Sequence, residues 1–146
     1  MNTVPVPIVS ALGSAALLVF AFPSFNQPWC AWVALVPWLL TLRGLKPGAA
    51  FRWSWLIGFL FFLGSIWWMV HLRAFGGPMA IIGWLALCGC LALYFGAFGW
   101  FVQCVASSLR PPAFGLLLLP SCWVALEYAR SHLLTGFGWN LLAYSQ

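Results

Sequence analysis

One acidic and one basic side chain near the end of the sequence stand at a spacing that lets them interact. Glu127 is the only acidic residue among 146 residues, and Arg130 follows it by three positions. Side chains three positions apart meet on the surface of a helix, so the pair predicts an ion pair that fixes the end of a helix. A lone carboxylate in an apolar stretch is costly unless it is paired or hydrated, which leaves contact with a substrate or partner as the alternative.

The other residue types that carry chemistry are dispersed along the sequence. Five cysteines lie mostly within apolar runs, where a thiol behaves as a small hydrophobic group. His71 and His132 have no companion carboxylate, and Cys88 and Cys90 have no second ligand pair nearby. Paired carboxylates and Ser-His-Asp groupings are ruled out by the residue types themselves. The sequence therefore predicts no catalytic residue, no metal site and no cofactor.

Two glycine-containing segments are candidates for structured loops. They are FGG at 75–77, followed by Pro78, and TGFGW at 135–139. Glycine permits backbone conformations that are closed to other residues and can bring a loop close to a surface or a ligand. Two ordinary turns are the alternative.

The elements that position these residues must be apolar. Hydrophobic residues make up 64% of the chain and charged residues 5%, and the mean hydropathy is +1.01. Soluble domains carry about 25% charged residues, so this composition favours a bilayer. We predict an all-α integral membrane protein with about five transmembrane helices in a single transmembrane domain, 1–146. The net charge of +5 comes from scattered basic residues, which argues against a nucleic-acid partner.

Proline, glycine and charge divide the sequence into five apolar runs. They are predicted at about 8–22, 29–42, 53–70, 79–105 and 113–128, followed by an outer loop at 129–146. The first two runs are short for a bilayer, which takes about 20 residues to cross, so a re-entrant hairpin is an alternative for them. Ala92 and Gly96 form a small-residue pair that would let another helix approach closely.

The basic residues predict an orientation, because cytoplasmic loops retain Lys and Arg. With the N-terminus inside and the C-terminus outside, four of the six basic residues fall in inner loops, namely Arg43, Lys46, Arg52 and Arg110. Arg73 and Arg130 would then be exposed on the outer side. There they could meet phospholipid phosphates or act as ordinary interfacial anchors.

Four segments, in their order and spacing, resemble apolipoprotein N-acyltransferases. They are FAFPSF at 20–25, WVALVPWLLTL at 32–42, Trp67 with FGGPM at 75–79, and LEYARSHLLTGFGWNLLAYSQ at 126–146. One departure is Gly138, where the family usually has proline, so this loop is expected to be less rigid. The resemblance implies a structural or substrate-access role for the matching positions Trp67, Phe75, Gly76, Gly77, Glu127, Arg130, Thr135, Gly136, Phe137, Trp139, Tyr144, Ser145 and Gln146.

The resemblance implies a multi-pass enzyme of the bacterial cytoplasmic (inner) membrane. Enzymes of that family move an acyl chain from a membrane phospholipid to the N-terminal cysteine of a diacylglyceryl lipoprotein. Their thioester forms on a cysteine of a Glu-Lys-Cys triad, in an outward carbon-nitrogen hydrolase domain that follows the membrane region.

The residues of that triad have no counterpart here. No lysine follows Lys46 and no charged residue follows Arg130, so none of the five cysteines is assigned as the nucleophile. We therefore expect the membrane portion of such an enzyme, truncated before its catalytic domain and inactive alone. A small integral-membrane interaction or scaffold subunit is the alternative.

Overall fold

The architecture is helical, as the composition predicts. The computed structural model describes residues 5–22, 25–106, 113–133 and 136–145, and every regular element within these ranges is a helix. The α-helices are α1 (Pro5–Ala21), α2 (Trp29–Leu42), α3 (Pro47–Ser65), α4 (Arg73–Gly76), α5 (Pro78–Ala106) and α6 (Ala113–His132), and 3₁₀ helices cover Trp67–Leu72 and Leu142–Ser145.

The third helix differs most from the predicted runs. It begins at Pro47 rather than at 53, because the fixed φ and the missing N–H of proline suit the first turn of a helix. It ends at Ser65 because Ile66 leaves the helical region, with φ −113° and ψ 27°. Residues 67–72 therefore form a 3₁₀ helix, and α3 does not continue to 70 as expected.

The last long helix extends further than its predicted run. The apolar run was expected to end at about 128, whereas α6 continues to His132. The additional turn places Arg130 on the helix, one turn after Glu127. The prediction that these two residues share a helix end is therefore confirmed.

The central pair, α3 and α5, is packed closely because glycines on one helix face large side chains on the other. A Cβ at Gly58 would stand 2.6 Å from the Phe95 ring, and a Cβ at Gly96 would stand 2.8 Å from the Phe51 ring. Ala92, the partner of Gly96 in the predicted small-residue pair, is fully buried. The predicted role of this pair in close helix packing is thus supported by the contacts of Gly96.

Trp38 of α2 organises the aromatic core. It is fully buried, stacks on Phe95 of α5 with ring centroids 5.2 Å apart, and meets Trp123 of α6 at 5.7 Å. Its indole N–H donates to the hydroxyl of Ser54 at 2.8 Å, which satisfies a buried donor. This cluster joins α2, α3, α5 and α6, so the position of α6 relative to the rest of the bundle is set by aromatic packing.

Two helices in the described part of the chain are long and apolar enough to cross a membrane, judged by length and composition. They cover Pro47–Ser65 and Pro78–Val105, and shorter apolar helices cover Ile8–Ala21 and Trp29–Leu42. A helix that is apolar all round is typical of a membrane span or of the core of a large protein.

Candidate functional site

The end of α6 and the turn that follows it form the candidate site. Gly136 adopts φ +77°, and a Cβ there would collide with the backbone carbonyl of Ser131. This left-handed conformation lets the chain reverse direction, and the N–H of Phe137 then donates to the carbonyl of Arg130 at 3.0 Å. Glycine is therefore required at position 136 by both the backbone angle and the close approach.

Arg130 holds the returning chain against the helix. Its Nη1 donates to the carbonyl oxygen of Trp139 at 3.0 Å, and its Nη2 donates to that of Asn140 at 3.2 Å. The guanidinium also lies over the ring of Phe62, 5.3 Å from the centroid. Only 4% of the Arg130 side chain is exposed, so the expectation of an exposed arginine that anchors at the interface or meets phosphates is wrong.

Glu127 holds the same segment at a second point. Its Oε1 accepts the backbone N–H of Leu142 at 2.8 Å, and it lies 4.0 Å from Nη2 of Arg130. The predicted ion pair is thus present at long range, while the shorter contacts of both side chains go to the backbone of the turn. The only carboxylate of the sequence therefore binds a backbone donor, and the two charges act on one loop.

The turn also contacts the connection between α3 and α5. The ring of Trp139 packs against Trp68 with centroids 5.6 Å apart and against Phe137 at 5.8 Å. Phe137 is half-buried against the core, whereas Trp139 remains exposed. Trp68, which was not among the positions singled out from the sequence, thus connects the 3₁₀ helix Trp67–Leu72 to the turn.

The other predicted positions in this connection do not join the turn. Trp67 packs against His71 with ring centroids 5.2 Å apart, and Phe75 is 92% exposed. Gly77 adopts φ +57°, which ends α4 before Pro78, and a Cβ at Gly76 would make only ordinary contact with Ala80. Of the glycines predicted to adopt conformations closed to other residues, Gly77 and Gly136 have positive φ angles. Among the described residues, no hydrogen bond joins 75–77 to 136–145.

The final residues of the sequence have unequal environments. Tyr144 is exposed, whereas Ser145 is buried and its hydroxyl donates to the carbonyl of Leu142 at 2.7 Å. Thr135 and Gln146, which were also singled out from the sequence, lie outside the described residues.

A cleft of about 450 Å³ separates α5 from α6 below the turn. Its walls are apolar apart from Tyr94 of α5, the exposed Cys90 and Arg130. Phe137 and Gly136 of the turn close one end. Such a space suits a hydrocarbon chain, since narrow apolar clefts bind apolar ligands with few polar contacts.

The contacts in this region are of a kind that binds a ligand or fixes the position of a segment. Cys90 faces the cleft, but the carboxylate of Glu127 already accepts the N–H of Leu142 and Arg130 already donates to carbonyl oxygens. In the described residues, no three side chains of the His, Cys, Asp and Glu types lie close enough to hold a metal ion. A thiolate nucleophile needs a base and a charge-stabilising partner that these contacts do not supply.

Sequence reasoning missed the backbone partners of the two charges. Asn140 has φ +56° and offers its carbonyl to Arg130, and Leu142 offers its N–H to Glu127. Asparagine tolerates the left-handed conformation better than most residues, which was the one available signal.

These features define a helical protein, with two helices long and apolar enough to cross a membrane, in which a Glu-Arg pair on α6 holds the turn that follows this helix. The family model for the apolipoprotein N-acyltransferase N-terminal domain matches residues 14–146, and the chain belongs to this family. The resemblance seen in the sequence motifs is confirmed.

Individual relatives agree with this assignment. The chain is 32% identical over 140 residues to the apolipoprotein N-acyltransferase of Geobacter metallireducens, covering 93% of this chain and 26% of the relative. It is 33% identical over 142 residues to that of Coxiella burnetii, covering 94% and 29%. It is 30% identical over 140 residues to that of Pasteurella multocida, covering 93% and 26%. The chain thus spans less than a third of the length of these relatives.

Proposed function

We propose that residues 1–146 form the membrane platform of an apolipoprotein N-acyltransferase, which moves an acyl chain from a phospholipid to the N-terminus of a lipoprotein. The observation that carries this proposal is the fixed turn. Glu127, Arg130 and Gly136 are motif positions of the family resemblance, and each makes a contact that determines the path of the chain after α6. A part of the enzyme that follows this turn would start from a rigid base.

The platform crosses the bacterial cytoplasmic membrane several times in this proposal, with its N-terminus inside and its C-terminus outside. The length and apolar character of α3 and α5 support two crossings. The helices α1 and α2 are shorter, with 17 and 14 residues. They would need a locally thinned bilayer or flanking interfacial residues to complete five spans.

The platform supplies lipid access rather than thiolate chemistry. The cleft between α5 and α6 has apolar walls and a volume of about 450 Å³. A hydrocarbon chain entering from the bilayer would reach the turn at Gly136 and Phe137, which line its end. The membrane phospholipid and the diacylglyceryl lipoprotein are the partners that this role implies, the second only together with an outward catalytic domain.

The test is a hybrid enzyme. Residues 1–146 replace the corresponding segment of a relative in a bacterial strain depleted of its own enzyme, and mass spectrometry reads the acylation of a model lipoprotein. We expect the hybrid to acylate the amino terminus and the 146 residues alone to leave it free. A Gly136→Val hybrid serves as the control, since its side chain would collide with the Ser131 carbonyl and displace the turn.

Two outcomes would overturn the proposal. One is a folded, membrane-inserted hybrid that leaves the lipoprotein amino terminus free. The other is acyl transfer by the purified 146 residues in the absence of any host enzyme.

A further inference from the structure

The connection between α3 and α5 presents apolar side chains on its outer surface. We call residues 67–79 the outer connection; it comprises the first 3₁₀ helix, α4 and the start of α5. Its exposed large apolar residues are Trp67, Trp68, Leu72, Phe75 and Met79. Phe75 is 92% exposed and Met79 is 73% exposed. Tryptophan and other large apolar residues at the end of a membrane helix are typical of the headgroup region of a bilayer.

A cationic cavity lies within this apolar surface. It has a volume of about 530 Å³ and is lined by His71, Arg73, Ala74, Gly77, Pro78 and Ile81. Within the described ranges, the guanidinium of Arg73 makes no ion pair and no hydrogen bond. The Nδ1 atom of His71 lies 3.0 Å from the carbonyl oxygen of Trp68, which orients the ring.

Residues 1–146 supply no carboxylate side chain to this cavity. The sequence contains a single acidic side chain, Glu127, and its carboxylate is bound to the N–H of Leu142 and faces Arg130. An anion that pairs with Arg73 must therefore come from outside the chain. In the membrane placement proposed above, the exposed apolar residues Phe75 and Met79 beside the cavity favour an anion that belongs to a molecule with a hydrocarbon part.

We infer that the outer connection binds the phosphate group of a phospholipid, with Arg73 as the principal cation and with Phe75 and Met79 in contact with the upper acyl region. The bound lipid stays intact and holds the outer connection at the membrane surface. A basic side chain near a bilayer gains from anionic lipids, so phosphatidylglycerol is preferred over phosphatidylcholine. The inference rests on the membrane placement proposed above and on no step of acyl transfer.

The test is native mass spectrometry of the 146-residue chain released from nanodiscs that contain phosphatidylglycerol and phosphatidylcholine in equal amounts. The retained lipids of the wild-type chain should be enriched in phosphatidylglycerol. Arg73→Ala should lower this enrichment about fivefold, which is the effect of one basic residue near an anionic surface. Arg73→Lys keeps the charge and should retain most of the enrichment.

Arg43→Ala is the matched control, because Arg43 is also exposed but lies at the end of α2, outside this cavity. It should leave the enrichment close to that of the wild type. Phe75→Ser with Met79→Ser should lower the total number of retained lipids without changing the preference between headgroups. The inference is overturned if Arg73→Ala keeps the wild-type enrichment, or if Arg43→Ala loses as much of it.

The readout separates this inference from the proposed function. Lipid composition is measured on the chain alone, whereas the hybrid assay reads lipoprotein acylation. A hybrid without activity would contradict the acyltransferase proposal but not the headgroup site. An unaltered lipid composition in Arg73→Ala would contradict the headgroup site but not the acyltransferase proposal.

Discussion

The guanidinium of Arg130 donates to the backbone carbonyl of Trp139 at 3.0 Å, so a charged side chain on α6 sets the position of a residue nine positions further along the chain. Hydrogen bonds from a charged donor are shorter and stronger than neutral ones. Because the same residue also donates to the carbonyl of Asn140, the turn is held at two consecutive peptide groups. The burial of Arg130 removes competing water and strengthens both contacts.

Removal of this side chain should loosen the turn. We expect Arg130→Ala to lower the free energy of unfolding by about 1.5–3 kcal/mol, the range for hydrogen bonds to charged groups. The measurement is the apparent melting temperature of the chain in detergent. Arg43→Ala is the control, since Arg43 is exposed and has no comparable contacts. Equal melting temperatures for the two variants would contradict the role of Arg130.

Glu127 and Arg130 should be coupled through the turn more than through their own attraction. The two charged groups are 4.0 Å apart. Their shorter contacts go to the turn, because Glu127 accepts the N–H of Leu142 and Arg130 donates to the carbonyl oxygens at 139 and 140. Once either side chain is lost, the turn moves and the other loses its partner. A double-mutant cycle of Glu127→Gln and Arg130→Ala should therefore give a coupling energy of about 0.5–3 kcal/mol, with losses smaller than additive. Strictly additive losses would show that the two residues act independently.

Position 136 should accept no side chain, in contrast to its neighbour 138. Gly136→Ala places a Cβ against the Ser131 carbonyl at φ +77°, and the left-handed conformation alone costs about 1–2 kcal/mol. At Gly138 the nearest atom to a Cβ is Cβ of Ser131 at 3.9 Å, so Gly138→Ala should be tolerated. The measurement is the melting temperature of each variant, which compares a position where a Cβ would collide with one where it would have space in the same loop. If Gly138→Ala lowered the melting temperature as much as Gly136→Ala, the collision with the Ser131 carbonyl would not explain the requirement for glycine at position 136.

The sequence predicted the pairing of Glu127 and Arg130 because helical spacing depends only on neighbours along the chain. It could not predict their main partners, since these are backbone groups of Trp139, Asn140 and Leu142. Those groups come within reach only after the chain reverses at Gly136; the glycine marks a possible turn in the sequence, but it does not specify which backbone groups the turn brings to the two side chains.

The end of α3 was unpredictable for a different reason. Apolar residues lie on both sides of Ile66, with Leu63 before it and Trp67 after it, so the apolar run continues across the change from α-helix to 3₁₀ helix. The start at Pro47 was marked by the proline itself, but the basic residue Arg52 moved the predicted boundary to 53. A charged residue can lie within the first turns of a helix, where its long side chain reaches the membrane surface.

The close packing of α3 on α5 should be sensitive at Gly99. A Cβ there would collide with the side chain of Ser54 and lie 2.9 Å from the carbonyl oxygen of Ala50. Ser54 cannot move freely because it accepts the indole N–H of Trp38 at 2.8 Å. Gly99→Ala should therefore cost about 1–3 kcal/mol, as overpacking of a core does.

Gly83 supplies the control for this prediction on the same helix. No atom lies within 4 Å of a Cβ built at Gly83, so Gly83→Ala should leave the melting temperature unchanged or raise it. If Gly99→Ala were as stable as the wild type, the separation of α3 and α5 would be larger than the contacts indicate.

The number of crossings can be measured with alkaline phosphatase, which is active only outside the cytoplasmic membrane. At 1.5 Å per residue, α5 is about 43 Å long and α2 only about 21 Å, compared with a hydrocarbon core of about 30 Å. With five spans and an inside N-terminus, fusions after Asn26 and after Gln146 should be active and a fusion after Lys46 inactive. A re-entrant hairpin of α1 and α2 would instead make the fusion after Asn26 inactive while the one after Gln146 stays active. The fusion after Asn26 therefore decides between five spans and three, and activity after Lys46 with inactivity after Gln146 would reverse the orientation that the basic residues predict.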